Sequence, residues 1–317
     1  MPTIVLLLPL AETLLEQIRL AAPGWRVVVG TDPAVCRPFL AEAEVVVNWS
    51  EEAEAACLSE GAALRWVHAW GAGANTLPLE RFRERDVVLT NTSGIHAHPI
   101  SESIFALILS FSHRLHRYMR AQVRGEWHRE TDPDEIHGKT MGVLGTGAIG
   151  SETARLAKAF GMQVLGLRRT ADPAPGFDRT FAVEELDEML PECDFVVNTL
   201  PLTPRTHHLL SDGQFRRMKP SAFYVNIGRG ATTDTDALVR ALQEKRIAGA
   251  GLDVYEVEPL PADSPLWGFE NVILMPHNSG VHPAYDQRAT DILVAGLLEF
   301  TAGREPSRNR VDLTQGY

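Results

Sequence analysis

The feature that most constrains this chain is a short glycine pattern in a particular setting. Gly145-Thr146-Gly147-Ala148-Ile149-Gly150 follows the apolar run Met141-Gly142-Val143-Leu144 and leads into a stretch with Ala154, Leu156, Ala157 and Phe160 at helical spacing. A strand, a tight turn and a helix in that order make half of a βαβ unit. Each glycine has a task there: the first turns the chain, the second lets backbone approach a pyrophosphate, and the third lets helix pack on strand. The helix N-terminus offers N–H groups and a positive dipole end, so Ala148 and Ile149 join the glycines as expected contacts to a dinucleotide.

Around this pattern, β-rich runs alternate with helical ones. Runs at 4–8, 25–29, 45–48, 65–69 and 87–90 read as strands of one α/β domain, and runs at 140–144, 163–167, 194–198, 222–226, 249–253 and 272–275 as strands of a second. Such alternation predicts doubly wound parallel sheets with helices on both faces, and 317 residues suit two domains of that kind. Between them, Ile100, Ile104, Leu107, Ile108, Phe111 and Leu115 recur at spacings of three and four after Pro99. They predict one long helix over 99–119, and Phe105 and Leu109 widen its apolar face enough to be covered on more than one side. A final helix is expected over 284–300.

Composition removes several classes of function. No apolar run approaches the roughly 18 residues a membrane helix needs, and residues 4–8 read as a buried strand rather than a signal peptide, so a cytoplasmic protein is expected. Cys36, Cys57 and Cys193 lie far apart, which argues against a disulfide framework or a zinc site. A net charge of −11 disfavours nucleic acid as a partner; any anionic ligand must be held by local positive charge.

The strand over 163–167 ends at Arg168-Arg169-Thr170, where an NAD enzyme would carry an acid for the ribose 2′-OH. Two guanidiniums and a hydroxyl suit a 2′-phosphate, so NADP(H) is the expected cofactor, with NAD(H) possible. Three later strand ends are also rich in chemistry. They carry Asn226-Ile227-Gly228-Arg229-Gly230, the loop from Asp253 through Glu258 to Leu260, and Pro276-His277-Asn278-Ser279-Gly280. Ligands of open α/β sheets sit beyond such ends. A guanidinium there can hold a carboxylate and polarise a ketone, a histidine can protonate the oxygen, and a neighbouring carboxylate favours the charged imidazole.

With Asn198-Thr199-Leu200-Pro201-Leu202-Thr203 added, and Gly125-x-Trp127 as a weaker match, these motifs resemble those of the D-isomer-specific 2-hydroxyacid dehydrogenases over most of the chain. The resemblance implies Arg229, Glu258 and His277 as the catalytic trio and Asp253 as the acid facing the nicotinamide carboxamide. It adds Leu200, Pro201, Ile227, Gly228 and Gly280, with Arg229 and His277, to the cofactor site. Ala72 and Gly73, within Trp70-Gly71-Ala72-Gly73-Ala74, become the backbone donors to the substrate carboxylate, alongside Arg229 and His277. It further implies two Rossmann-like domains with a cleft between them: a discontinuous substrate domain at 1–95 plus 284–317, and a dinucleotide domain at 96–283. A homodimer is expected. The substrate would be a small 2-oxo or D-2-hydroxy acid such as glyoxylate or hydroxypyruvate, with hydride moving to or from C2.

This sequence departs from the family at Asn75, where many members have Asp, and after His277, where Asn-Ser-Gly replaces Ile-Gly-Ser or Ile-Gly-Gly. Formate dehydrogenases of the same fold carry Gln at the place of Glu258, and the corepressors that share it carry longer termini, so both remain alternatives of lower standing. His96 and His98 lack a third partner for a metal, which is therefore not expected; His207 and His208 read as solvated. Trp70 could line a substrate pocket or pack in the core.

Overall fold

The inner strands are short runs of β-branched and apolar residues buried on both faces, as parallel sheets require. In the computed structural model, which describes residues 1–30, 32–74 and 76–314, they lie in two units: Met1–Ile95 with His282–Tyr317, and His96–Val281. The first unit contains Thr3–Leu6 (β1), Arg26–Val29 (β2), Val45–Val47 (β3), Trp66–His68 (β4) and Val88–Thr90 (β5). All pair in parallel, in the order β2-β1-β3-β4-β5. Its first helices are Glu12–Ala21 (α1), Pro33–Leu40 (α2), Glu51–Cys57 (α3) and Leu79–Glu84 (α4).

The second unit opens with Ala97–Ser112 (α5) and Leu115–Val123 (α6). Its strands are Thr140–Leu144 (β6), Gln163–Arg168 (β7), Arg179–Ala182 (β8), Phe195–Asn198 (β9), Phe223–Asn226 (β10), Gly249–Leu252 (β11) and Val272–Leu274 (β12). Between them run Ala148–Ala159 (α7), Leu186–Met189 (α8), Asp212–Arg217 (α9) and Thr235–Gln243 (α10). The sheet is parallel throughout, in the order β12-β11-β10-β9-β6-β7-β8. The last helix, Tyr285–Thr301 (α11), belongs to the first unit, where Leu293, Leu297 and Phe300 pack with Trp66, Ile4 and Leu6. The expected doubly wound α/β fold is thus the one observed, and strand order reverses between β1 and β3 in one sheet and between β6 and β9 in the other. At such reversals the two crossovers leave in opposite directions and open a crevice beyond the carboxyl ends.

Two local expectations need correction. The helix over 99–119 is broken: α5 ends at Ser112, Arg114 takes a left-handed backbone with φ of 60°, and α6 restarts at Leu115. The break rotates the apolar stripe. Ile104, Leu107, Ile108 and Phe111 are buried against the sheet, with Phe111 stacked on Phe223 at 4.1 Å between centroids, whereas Leu115, Met119 and Val123 are exposed. Burying a side chain of that size stabilises by about 1.5–3 kcal/mol, so α5 is anchored where α6 is not. Strand β8 is additional to the strands the pattern predicts; it is a four-residue edge strand in which only Phe181 is buried.

The three cysteines are buried and unpaired, and burial pushes the thiols of Cys57 and Cys193 up to about 12. They are inert thiols at neutral pH. His68, fully buried at the end of β4 with Nδ1 2.8 Å from the Thr90 hydroxyl, is pushed down to about 3 by the same desolvation and is a neutral part of the core.

Candidate active site

The glycine pattern does in space what its spacing requires. Gly145 has φ of +102°, a left-handed turn, and its N–H donates to Leu167 O at 2.9 Å. A Cβ on Gly150 would lie 1.9 Å from the Gly145 carbonyl oxygen, so α7 could not approach β6 with any larger residue there. At Gly147 an added Cβ would meet nothing. That position faces open space at the N-cap of α7, where no side chain caps the helix and no acid lies in its first turn. The cradle therefore fits a pyrophosphate on the N–H groups beginning at Ala148 and Ile149.

At the end of β7, Arg168 is half-buried and its Nη1 donates to the carbonyls of Asp172 at 3.2 Å and Pro173 at 3.5 Å. Arg169 and Thr170 are exposed, and the Thr170 hydroxyl donates to Asp172 Oδ2 at 2.7 Å. The turn is held from below by β8: the Thr180 hydroxyl is 2.9 Å from Ala171 O and 3.0 Å from Asp172 O. Asp172 carries no signal in the sequence pattern, because it follows the strand end by four residues rather than forming it.

At the ends of β9 and β10 two buried asparagines shape the next loops. Asn198 Oδ1 accepts from Leu200 N at 3.1 Å, and Asn226 Oδ1 accepts from Gly228 N at 3.1 Å. Their amides donate inward, Asn198 to Tyr224 Oη and Thr232 Oγ1, Asn226 to Thr233 Oγ1. Fully satisfied buried polar networks of this kind fix a unique geometry. The loops meet so closely that a Cβ on Gly228 would stand 2.6 Å from Leu200 O. The side chains of Leu200 and Ile227 are in the core, so either can reach a ligand only through backbone; Pro201 is exposed. Arg229 is half-buried, folds Nη1 onto Gly228 O at 2.8 Å, and makes no ion pair among the described residues. Most of its guanidinium donors are therefore not committed to a carboxylate.

Asp253, 1% exposed at the end of β11, accepts from Asn278 N at 2.9 Å, Ser279 N at 3.1 Å and the Ser279 hydroxyl at 2.5 Å. It thereby fixes the turn after His277. Glu258 places Oε2 2.7 Å from His277 Nδ1 while its Oε1 accepts from Tyr255 N at 2.9 Å. A carboxylate only accepts, so Nδ1 carries the proton and Nε2 is the ring nitrogen left for chemistry. His277 is half exposed and has a left-handed backbone, φ 52°. The Tyr255 phenol, half-buried and pushed up to about 12 chiefly by desolvation, donates to Met275 O at 2.8 Å, tying the strand that precedes His277 to the loop that carries Glu258. Gly280 O lies 3.4 Å from His96 Nδ1.

In the first unit, Gly71, Ala72 and Gly73 form an exposed loop after β4. The Asn91 amide donates to Ala72 O at 2.8 Å, the Thr92 N–H to Gly71 O, and the hydroxyls of Thr92 and Tyr285 to Trp70 O. The carbonyls are thus taken up, and the N–H groups of Ala72 and Gly73 meet no acceptor among the described residues. Trp70 is partly buried against Ile95 and Ile292, and Asn75 lies outside the described residues.

His98 and His208 each face a glutamate. His98 Nδ1 is 2.9 Å from Glu152 Oε1, and among the described residues no three side chains could hold a metal ion. His207 is exposed and His208 partly so, and His208 also places Nε2 2.6 Å from Glu256 Oε1 and stacks on His207.

Comparisons with known proteins agree with this geometry. Residues 105–279 match the family described as "D-isomer specific 2-hydroxyacid dehydrogenase, NAD binding domain". A glyoxylate/hydroxypyruvate reductase B of Pectobacterium carotovorum is 37% identical over 276 residues, 84% of this chain and 86% of that protein. The structure of a D-isomer specific 2-hydroxyacid dehydrogenase family protein from Aeromonas salmonicida superposes with a TM-score of 0.84 at 33% identity, over 98% of this chain and 99% of that one. An NADPH-dependent glyoxylate/hydroxypyruvate reductase of Sinorhizobium meliloti, solved with NADP and sulfate, superposes at 0.83 with 26% identity over the full length of both. Motifs, fold and relatives together place this chain in the D-isomer-specific 2-hydroxyacid dehydrogenase family.

Proposed function

We propose that the chain reduces a small 2-oxo acid, such as glyoxylate or hydroxypyruvate, to the corresponding 2-hydroxy acid, preferring NADP(H) and accepting NAD(H) less well. The observation that carries this reading is the 2.7 Å contact of Glu258 with His277 Nδ1, which leaves Nε2 of a half-exposed imidazole to act as general acid. When bound, the nicotinamide supplies the hydride to C2. The Nε2 proton of His277 passes to the ketone oxygen in the same step, leaving the ring neutral with its Nδ1 proton directed at Glu258, which keeps the imidazole in orientation. Arg229 holds the substrate carboxylate and polarises the ketone, and Asp253 holds the turn that presents His277 while serving the carboxamide side of the cofactor. The N–H groups of Ala72 and Gly73 are assigned to the substrate carboxylate, which makes 1–95 with 284–317 the substrate-binding domain and 96–283 the cofactor domain.

The NADP(H) preference rests on Arg168, Arg169 and Thr170 at the end of β7, and the S. meliloti relative is described as NADPH-dependent. A homodimer through the second unit is supported by exposed Leu115, Met119, Val123 and Trp127. No helix of the described residues is long and apolar enough to cross a membrane, and a net charge of −11 argues against nucleic acid; the cytoplasm is the proposed location. The direct test is steady-state consumption of NADPH and NADH with glyoxylate, hydroxypyruvate, pyruvate and phenylpyruvate. Turnover of the two smaller substrates, faster with NADPH, is expected. Dinucleotide binding without turnover of any 2-oxo acid would support a sensing protein instead, and NAD reduction by formate alone would support a formate dehydrogenase.

A further inference from the structure

We infer that Asp172 is a specificity-determining residue that limits how strongly this protein discriminates for a 2′-phosphate. The inference rests on the NADP(H) reading and concerns the same loop. Arg168 makes no ion pair among the described residues and uses Nη1 on two carbonyls, so Nε and Nη2 remain for a phosphate. Thr170 is different. A hydroxyl has one proton to donate, and here it goes to the Asp172 carboxylate at 2.7 Å. An incoming phosphate must compete with that carboxylate for the same donor and meets its negative charge as well.

Asp172 is not free to swing aside with its backbone. Its carbonyl is held from one side by Arg168 and from the other by the Thr180 hydroxyl of β8. An acid near the end of this strand is also what receives the ribose 2′-OH when the cofactor lacks the phosphate. Asp172 therefore favours the unphosphorylated ribose and opposes the phosphorylated one, while Arg168 does the reverse. The discrimination is the difference between two opposed groups set by one turn.

The test uses the full chain and two probes without a nicotinamide, 2′,5′-ADP and 5′-AMP, titrated by calorimetry. D172N keeps an acceptor for Thr170 and removes the charge. The affinity ratio of 2′,5′-ADP over 5′-AMP should rise about three- to tenfold at low salt, the gain shrinking at 1 M salt. The ratio of kcat/KM for NADPH over NADH should rise in parallel. T170V should change the 2′,5′-ADP affinity little in the wild type, where the hydroxyl is already committed, and lower it about threefold beside D172A, where it is released. A ratio unchanged within twofold in D172N overturns the inference, as does an equal effect of T170V in both backgrounds. R168A separates the two claims: if it leaves the ratio unchanged, the NADP(H) reading fails; if it lowers the ratio while D172N does nothing, only the role of Asp172 fails.

Discussion

The loop after β11 carries two glutamates two residues apart, Glu256 and Glu258, and each faces a histidine in a left-handed backbone, His208 with φ of 49° and His277 with φ of 52°. The pairs differ in which ring nitrogen meets the carboxylate. Glu256 takes Nε2 of His208 at 2.6 Å and uses its other oxygen on Thr235 N at 2.8 Å, at the start of α10. The outer end of that imidazole is closed, its face is stacked on His207, and the pair fastens the loop to a helix. Glu258 takes Nδ1 of His277, uses its other oxygen on its own loop, and leaves the outer nitrogen of a half-exposed ring open. Two similar dyads on one loop thus differ in a single atom: one fastens loop to helix, and the other leaves Nε2 open for the proton transfer we propose.

The largest expected effect separates the dyads directly. His277→Ala and Arg229→Ala should each lower kcat/KM by about a hundredfold or more at saturating cofactor, the range for loss of a general acid or of a charge-stabilising donor. His208→Ala should stay within about threefold of the wild type, since its outer nitrogen already faces Glu256. Equal losses from His208→Ala and His277→Ala would break the comparison. A smaller effect sharpens it: Glu258→Gln keeps a side-chain oxygen beside His277 Nδ1 but removes the carboxylate charge. About tenfold lower kcat/KM is expected at saturating cofactor, and activity within about twofold of the wild type would remove Glu258 from any electrostatic part in catalysis.

The sequence made one dyad visible and hid the other for a physical reason. Gly145, Gly147 and Gly150 are legible because backbone approach forces their identity, and Arg229, Glu258 and His277 because strand ends in a parallel sheet collect on one edge. His208 gave no such signal: it lies in a loop, and its partner is 48 residues away, brought near by the His208 N–H bond to Ala231 O and the bridge between Leu210 and Thr233. Arg114 broke a helix whose apolar period runs on through Leu115, because periodicity reports which residues are apolar and not where the backbone turns. Strand β8 escaped since an edge strand with polar Arg179 and Thr180 carries half the usual pattern; with it went the turn that fixes Asp172.

The smallest expected effect is on stability, and it belongs to the fastening dyad alone. Burial would raise the Glu256 carboxyl, but hydrogen bonds from Thr235 and His208 outweigh it and hold the group below the ordinary glutamate range. A carboxyl with a depressed folded-state pKa binds protons less readily in the folded chain than in the unfolded one. Its stabilisation is therefore fully present above the unfolded value of about 4.3 and is lost as pH falls through the lower folded value. Glu256→Gln should cost about 0.5–1.5 kcal/mol at pH 7, the worth of a partly exposed charge-assisted contact, seen as a thermal midpoint lower by about 2–4 °C. The gap between wild type and variant should narrow on acidification below about pH 4, where the wild-type carboxylate is itself being neutralised. A gap of the same size at pH 3 and pH 7 would mean that the carboxylate charge contributes nothing and that only the shape of the side chain fastens loop to helix.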